Sequence, residues 1–591
     1  MVSMPMRTLA AASLAALVAG ALTSAAPPDP VVRLHDLFAR EWEFRLREDP
    51  LLATQVGVHD HDHRLPSVGL ADQERRARAW QAYARELEAI DREALPALER
   101  TNYDMFARQL ADRVADWELG EHLFPFNADS GFHTEIARLP QAMSPRTLRD
   151  HESYLARLRA LPRYFAENLE LLRAGLERGM TQPAVVLRGI ETSIAPHVVP
   201  DPEASVFWAP FARLPETLPA ADRERLRAAG RAAIRDAVVP AYRELLEFMT
   251  GIYVPGARAT VGAGDLPGGA AYYRHRIRYF TTLDLEPEEI HRIGLDEVRR
   301  IRAEMETVIR RTGFSGDFAA FLHFLRTDPR FYPKSAEELL ERAAWIAKRM
   351  DGKLPALFKT LPRLPYGVAP VPDHIAPKYT AGRYVDAPVG STEPGWYWVN
   401  TYALESRALY NLEALTLHEA VPGHHLQIAL SQELAGLPPF RRYSYLSAFG
   451  EGWGLYSEWL GKEAGFYTDP YSDFGRLTYE MWRACRLVVD TGLHAKSWSR
   501  QQAIDFLAQN TALPLHEVET ETDRYISWPG QALAYKLGEL EIKRLRRRAE
   551  RELGARFDVR EFHDAVLLQG SVPLPVLAQA VDGYIRANLR D

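Results

Sequence analysis

The chain has 591 residues, with hydrophobic residues at 47% and charged ones at 26%, the proportions of an ordinary folded globular protein. A formal net charge of −7 excludes the basic excess of a nucleic-acid binder, and one cysteine, Cys485, excludes an internal disulfide. The length admits roughly two to four domains or one large helical enzyme.

Met1 to Ala26 reads as an export signal: Arg7 is its charge, Leu9 to Leu22 is an apolar run too short to favour a span, and Ser24-Ala25-Ala26 offers small residues for cleavage. No cysteine follows that run, which argues against a lipid anchor. The expected location is periplasmic or secreted, without stable membrane insertion once the signal is removed. From Pro30 to about Met249 the pattern is helical hairpins, with Leu155, Leu158, Leu161, Phe165, Leu169 and Leu172 recurring at three or four residues. This stretch is expected to form an N-terminal helical half over 27–255. His59, His61 and His63 alternate within it, as a second metal site on a strand would require, or as a polar loop between Gly57 and Pro66.

Glycine and proline thicken between Gly251 and Phe280, which places the join to a C-terminal catalytic half over 256–591. Thr282 to Arg311 returns to helix, and His291 on it reads as a structural histidine. Pro362 to Asn400 is rich in proline and glycine and ends in Gly395-Trp-Tyr-Trp-Val-Asn400, the expected small β-element. Neighbours alternate across a strand, so Trp396, Tyr397 and Trp398 cannot all face one side.

The chemistry concentrates in Leu415-Thr-Leu-His-Glu-Ala-Val-Pro-Gly-His-His-Leu-Gln-Ile428. A helical zinc hydrolase needs two imidazoles for Zn²⁺ and, beside the first, a carboxylate that takes a proton from the attacking water. His418 and Glu419 supply the opening pair. The usual second histidine falls four residues on, where this chain has Pro422. His424 lies roughly 240° around an ideal helix from His418, so it can converge only if Pro422-Gly423 distorts the backbone. His425 is the alternative, on nearly the same face but about 10 Å along the axis. The third ligand is expected from Ala448 to Glu458: Glu451, flanked by Gly450, Gly452 and Gly454, which would let this helix approach the metal helix closely. Glu458 lies on the same face and could orient a ligand histidine. Arg483, Arg486, Asp490 and His494 then follow at helical spacing, as a substrate-carboxylate clamp or an internal Arg486–Asp490 ion pair. The basic run Lys543 to Arg548 is surrounded by glutamates and reads as a solvated helix face.

His418-Glu-Ala-Val-Pro-Gly-His-His-Leu-Gln427, Phe449-Gly-Glu-Gly-Trp453 and Arg486-Leu-Val-Val-Asp-Thr-Gly-Leu-His494 resemble a family of bacterial exported proteins catalogued as a domain of unknown function. That family in turn resembles the gluzincin metallopeptidases, helical oligopeptidases and carboxypeptidases with two histidines and a glutamate on zinc. Gly423-His424 matches the Gly-His ending of the gluzincin motif, with two residues inserted before it. The resemblance implies a mainly α fold, with a deep cleft between two helical halves and a short sheet at its edge. It implies Zn²⁺ on His418, His424 and Glu451, with Glu419 as base. An oxyanion also needs a donor, and Arg524-Tyr525 resembles the arginine-tyrosine pair of angiotensin-converting enzyme, so Tyr525 is the first choice and Tyr535 the second. The expected activity is hydrolysis of short peptides, in the manner of a dipeptidase or carboxypeptidase. The alternatives are a zinc hydrolase of another amide or ester, and a non-catalytic binding protein that keeps the peptidase fold.

Overall fold

Helix ends in this chain are written by local chemistry. Thr147 accepts from the Asp150 N–H while the Asp150 carboxylate accepts from the Thr147 N–H, which opens helix Leu148–Arg178; Gly179, at φ 69°, closes it. Leu155, Leu158, Leu161, Phe165, Leu169 and Leu172 on that helix are all buried, as their spacing requires. Two π-helical turns, Ile234–Val238 and Met249–Tyr253, each stand immediately before a segment carrying a proline, Pro240 and Pro255. A proline has no N–H for the preceding turn, and the wider π-turn accommodates that loss without ending the helix.

The computed structural model describes residues 29–590 apart from 129, 374 and 388–392, so the export signal expected over 1–26 lies outside the described residues. The fold is mainly α-helical. A continuous apolar core runs from Leu34 in the first helix to Ile585 in the last and takes in both halves of the chain. No described helix is long and apolar enough to cross a membrane.

The small β-element forms as a three-stranded sheet of β1 (Tyr366–Pro370), β2 (Gly382–Val385) and β3 (Gly395–Val399). The order is β1-β3-β2, with β1 parallel and β2 antiparallel to the central strand. Tyr397 is fully buried, whereas Trp396 and Trp398, on the other face of β3, are only half-buried. The sheet precedes helix Leu412–Glu419, and the β2 edge lies against that helix.

Helix Pro470–Ala495 runs through the centre of the C-terminal half, with every residue from Asp473 to His494 buried, and helix Pro287–Thr312 packs along it. His291 Nδ1 meets Thr491 Oγ1 across that contact at 2.8 Å. His59 to His61 form a 3₁₀ turn after the second helix, where His59 Nδ1 bonds Asp62 at 2.8 Å. Among the described residues these histidines do not gather into a metal-holding group. In the basic run, Lys543 pairs with Glu539, Arg544 with Glu541, and Arg546 with Glu463 and Glu550.

Candidate metal centre

Helix Leu412–Glu419 stops abruptly at Ala420, whose φ of −89° and ψ of −114° lie outside the helical region. The Val421–Pro422 peptide is cis, and Gly423 (φ −76°, ψ −126°) carries the chain into a new helix, His424–Glu433. A Cβ on Gly423 would lie 1.9 Å from the His418 carbonyl oxygen, so only glycine permits the chain to fold back this tightly. The buried Trp453 holds the break from the other side, its Nε1 donating to the Pro422 carbonyl at 2.8 Å.

This break brings His424 to His418. Their rings stand 4.7 Å apart and nearly perpendicular. Glu451, one turn into helix Ser447–Leu460, completes the group: its Oε2 is 3.4 Å from His418 Nε2 and 3.3 Å from His424 Nε2. Two ligand atoms at normal zinc bond lengths and a tetrahedral angle stand about 3.3 Å apart. The donor set therefore fits zinc in kind and in spacing, and it is the one such group found among the described residues. His425 turns the other way, between Tyr366 and Tyr384, with Nδ1 3.1 Å from the Tyr384 hydroxyl. Burial lowers its pKa to about 4, so this ring is neutral.

The supporting groups are equally specific. Glu458 Oε1 accepts from His418 Nδ1 at 2.8 Å, which leaves Nε2 to face Glu451 and His424; Arg483 holds Glu458 at 3.2 Å. Burial alone would lower the His418 pKa, but Glu451 and Glu458 on either side outweigh it and raise it to about 10. Burial likewise opposes ionisation of Glu451, and the two imidazoles overcome it, holding the carboxylate well below its usual range. Of the three flanking glycines, only Gly454 faces the His418 ring. Gly452 lies against Gly538 on helix Ala534–Leu553, and Gly450 lies under the Tyr445 ring.

Glu419 lies beside this group, in the last turn of its helix. Its Oε2 accepts from the backbone N–H of Tyr384 at 2.8 Å, so the carboxylate sits between its own helix and the β2 edge.

Several expected residues fall elsewhere. Tyr525 is 1% exposed, and its hydroxyl accepts from Trp482 Nε1 and Arg486 Nε, both at 2.8 Å, in a buried cluster. Arg486 pairs with Glu521 at 3.0 Å and not with Asp490. Asp490 instead accepts from the Tyr273 hydroxyl and the Gly530 N–H, and His494 bonds the Tyr525 carbonyl and the Ala263 N–H. The expected row of four thus spreads over several contacts, with Arg486 and His494 both reaching Tyr525, because a helix buried on all sides meets neighbours all round it. Tyr535 accepts from Arg524 at 3.2 Å.

The phenol beside the metal-holding group is Tyr445, which lay outside the sequence-based selection. It stands on the short irregular segment before helix Ser447–Leu460, next to Glu451 and Tyr535, and keeps 45% of its surface open. The hydroxyl end is the enclosed part of the residue, and that enclosure together with the Glu451 charge pushes its pKa far above the ordinary phenol value, so it remains a proton donor. The only sequence signal for it is Gly450, whose missing side chain makes room for the ring.

Residues 50–581 match the family described as "Bacterial protein of unknown function (DUF885)". The chain belongs to this family. A crystal structure of "the putative lipoprotein from Colwellia psychrerythraea" superposes on this DUF885 protein with a TM-score of 0.88 and 30% identity, covering 94% of this chain and all of that one. A second, "a putative lipoprotein of unknown function from Shewanella oneidensis", shares the fold at a TM-score of 0.68 and 17% identity over 92% of this chain and 99% of its own. No curated protein matches the chain.

Proposed function

We propose that this DUF885 protein is an exported zinc-dependent peptidase of short peptides, related in its chemistry to the gluzincins. The observation that carries the reading is the spacing of His418 Nε2, His424 Nε2 and Glu451 Oε2, with Glu419 next to the first ligand. Zinc on these three residues would supply a Lewis acid for the scissile carbonyl and lower the pKa of water. Glu419 takes the proton of the attacking water and returns it to the leaving amine, since its carboxylate is the base adjacent to the ligand set. Tyr445, in place of Tyr525, donates to the developing oxyanion: its hydroxyl is protonated and stands beside Glu451. An envelope location is supported by the lipoprotein description of the Colwellia psychrerythraea neighbour.

Zinc content and turnover test the reading together. The purified mature protein is expected to carry close to one zinc per chain and to cleave short peptides from a panel that also contains esters and non-peptide amides. Glu419→Gln is expected to keep the metal and lose about 10²- to 10⁴-fold in turnover. Zinc that stays well below stoichiometry after zinc is supplied refutes the centre, and cleavage confined to esters refutes the peptidase assignment.

A further inference from the structure

A cavity of about 550 Å³ lies between the N-terminal helices and the segment Ser527–Pro529, and none of the metal-holding residues lines it. Its size is that of a small-molecule site. Trp80, Trp117 and Trp528 contribute aromatic surface to the wall.

Most of the charged groups in the described wall are already engaged, and Glu135 pairs with Arg138 at 3.5 Å. Arg276 is held by Asp116 at 3.4 Å and Glu121 at 3.2 Å, Glu121 also accepts from the Tyr272 hydroxyl at 2.6 Å, and Arg113 lies over the Trp80 ring at 4.9 Å. His122, stacked on Trp117 with ring centroids 4.5 Å apart, is neutral, because burial and then Arg178 lower its pKa to about 4. A small anion would meet the carboxylates and a small cation the guanidiniums, and either would compete with the ion pairs of Arg276 to Asp116 and Glu121.

The amides in the wall are oriented for a neutral donor. Gln182 spends both hydrogens of its NH₂ on the Phe126 and Ser527 carbonyls, at 3.0 Å each. Asn168 donates to the Tyr164 carbonyl at 2.8 Å and Gln73 to the Val68 carbonyl at 3.1 Å. Gln182 is thereby left as an acceptor only, while Asn168 and Gln73 each keep a carbonyl oxygen to accept and one N–H to donate. A ligand that suits these walls is uncharged, supplies several hydrogen-bond donors and has an apolar face to lay on an indole.

We infer that this cavity is a binding site for a neutral sugar, a mono- or disaccharide whose hydroxyls meet the amide carbonyls and whose C–H face stacks on tryptophan. The site is separate from the metal centre, and the inference stands whether or not the protein is a peptidase.

Calorimetric titration of the full mature protein tests it, with glucose, N-acetylglucosamine, cellobiose and chitobiose as probes, and spermidine and citrate as the charged comparison. At least one sugar is expected to bind saturably, about tenfold or more weaker in Trp528→Ala, which removes an aromatic face, and weaker in Gln73→Leu, which removes an acceptor. Zinc content is expected to stay unchanged in both variants, and thermal melts show whether each is folded; if one is not, the other decides. The inference is overturned if no sugar binds, if the only binder is spermidine or citrate, or if sugar affinity is unchanged in the folded variants.

Discussion

A single methyl group at Gly454 is the sharpest probe of the proposed metal centre. An added Cβ would lie 2.6 Å from His418 Cε1, 2.8 Å from Nε2 and 2.9 Å from Nδ1. Ordinary contact begins at 3.4 Å, so the imidazole must withdraw by about 0.8 Å or the two helices must part. The ring has little freedom to withdraw, because Nδ1 is tied to Glu458 at 2.8 Å and Leu417 and Ala420 around it are buried. A bound metal tolerates ligand displacements of only about 0.2 Å. Gly454→Ala is therefore expected to weaken zinc binding by about 100-fold or more, at or beyond the top of the range for disturbed supporting groups. Alanine is the better helix former by about 1 kcal/mol, so helix Ser447–Leu460 itself gains. Competition against a chelator of known affinity gives the number, with Gly583→Ala, where an added Cβ meets nothing within 4 Å, as the control. Zinc binding in a folded Gly454→Ala protein within threefold of wild type would refute the account of how His418 is placed.

His424→Ala is expected to lose zinc as fully as His418→Ala, whereas His425→Ala loses about 10- to 100-fold at most, because His425 packs between Tyr366 and Tyr384; the same chelator competition ranks the three, and the reverse order would displace His424 from the ligand set. Tyr445→Phe is expected to keep zinc and to lower kcat by about 10²- to 10³-fold with KM little changed, as removal of one oxyanion donor does; steady-state kinetics beside Tyr525→Phe, whose phenol lies in the buried cluster, tells which tyrosine acts. Burial pushes the Asp490 carboxyl up to about 7 against the opposing bonds from Tyr273 and Gly530. The folded chain then keeps a proton that the unfolded chain sheds near pH 4, so stability from this group is fully present in acid and is lost as pH rises to about 7. Asp490→Asn removes that slope, and the stability difference between variant and wild type is expected to shift in the variant's favour by about 2 to 3 kcal/mol from pH 5 to pH 8. Urea unfolding at both pH values measures it, and parallel curves would contradict the buried protonated carboxyl.

What the sequence determined by itself is what local spacing encodes. Apolar residues at three or four positions make helices whatever surrounds them, as in Leu148–Arg178, and the alternation around Tyr397 makes a strand with one buried face. The chemical character of His418, Glu419, His424 and Glu451 was legible for the same reason: few buried segments carry so many titratable groups without a use for them. Tertiary structure decided the rest, because a break in a helix has no local code for its angle. His424 and His425 are neighbours with the same chemistry, and only the fold-back at Ala420 to Gly423, stapled by Trp453 from another helix, sends one to Glu451 and the other to the sheet. Tyr445 and Tyr525 differ in the same way. Both precede or end helices near charged groups, yet Tyr525 is sealed under Trp482 and Arg486, while Tyr445 meets Glu451 because Gly450 leaves room for its ring. Which side chain reaches a site depends on contacts between segments far apart in the chain, and residue spacing carries no information about those distances.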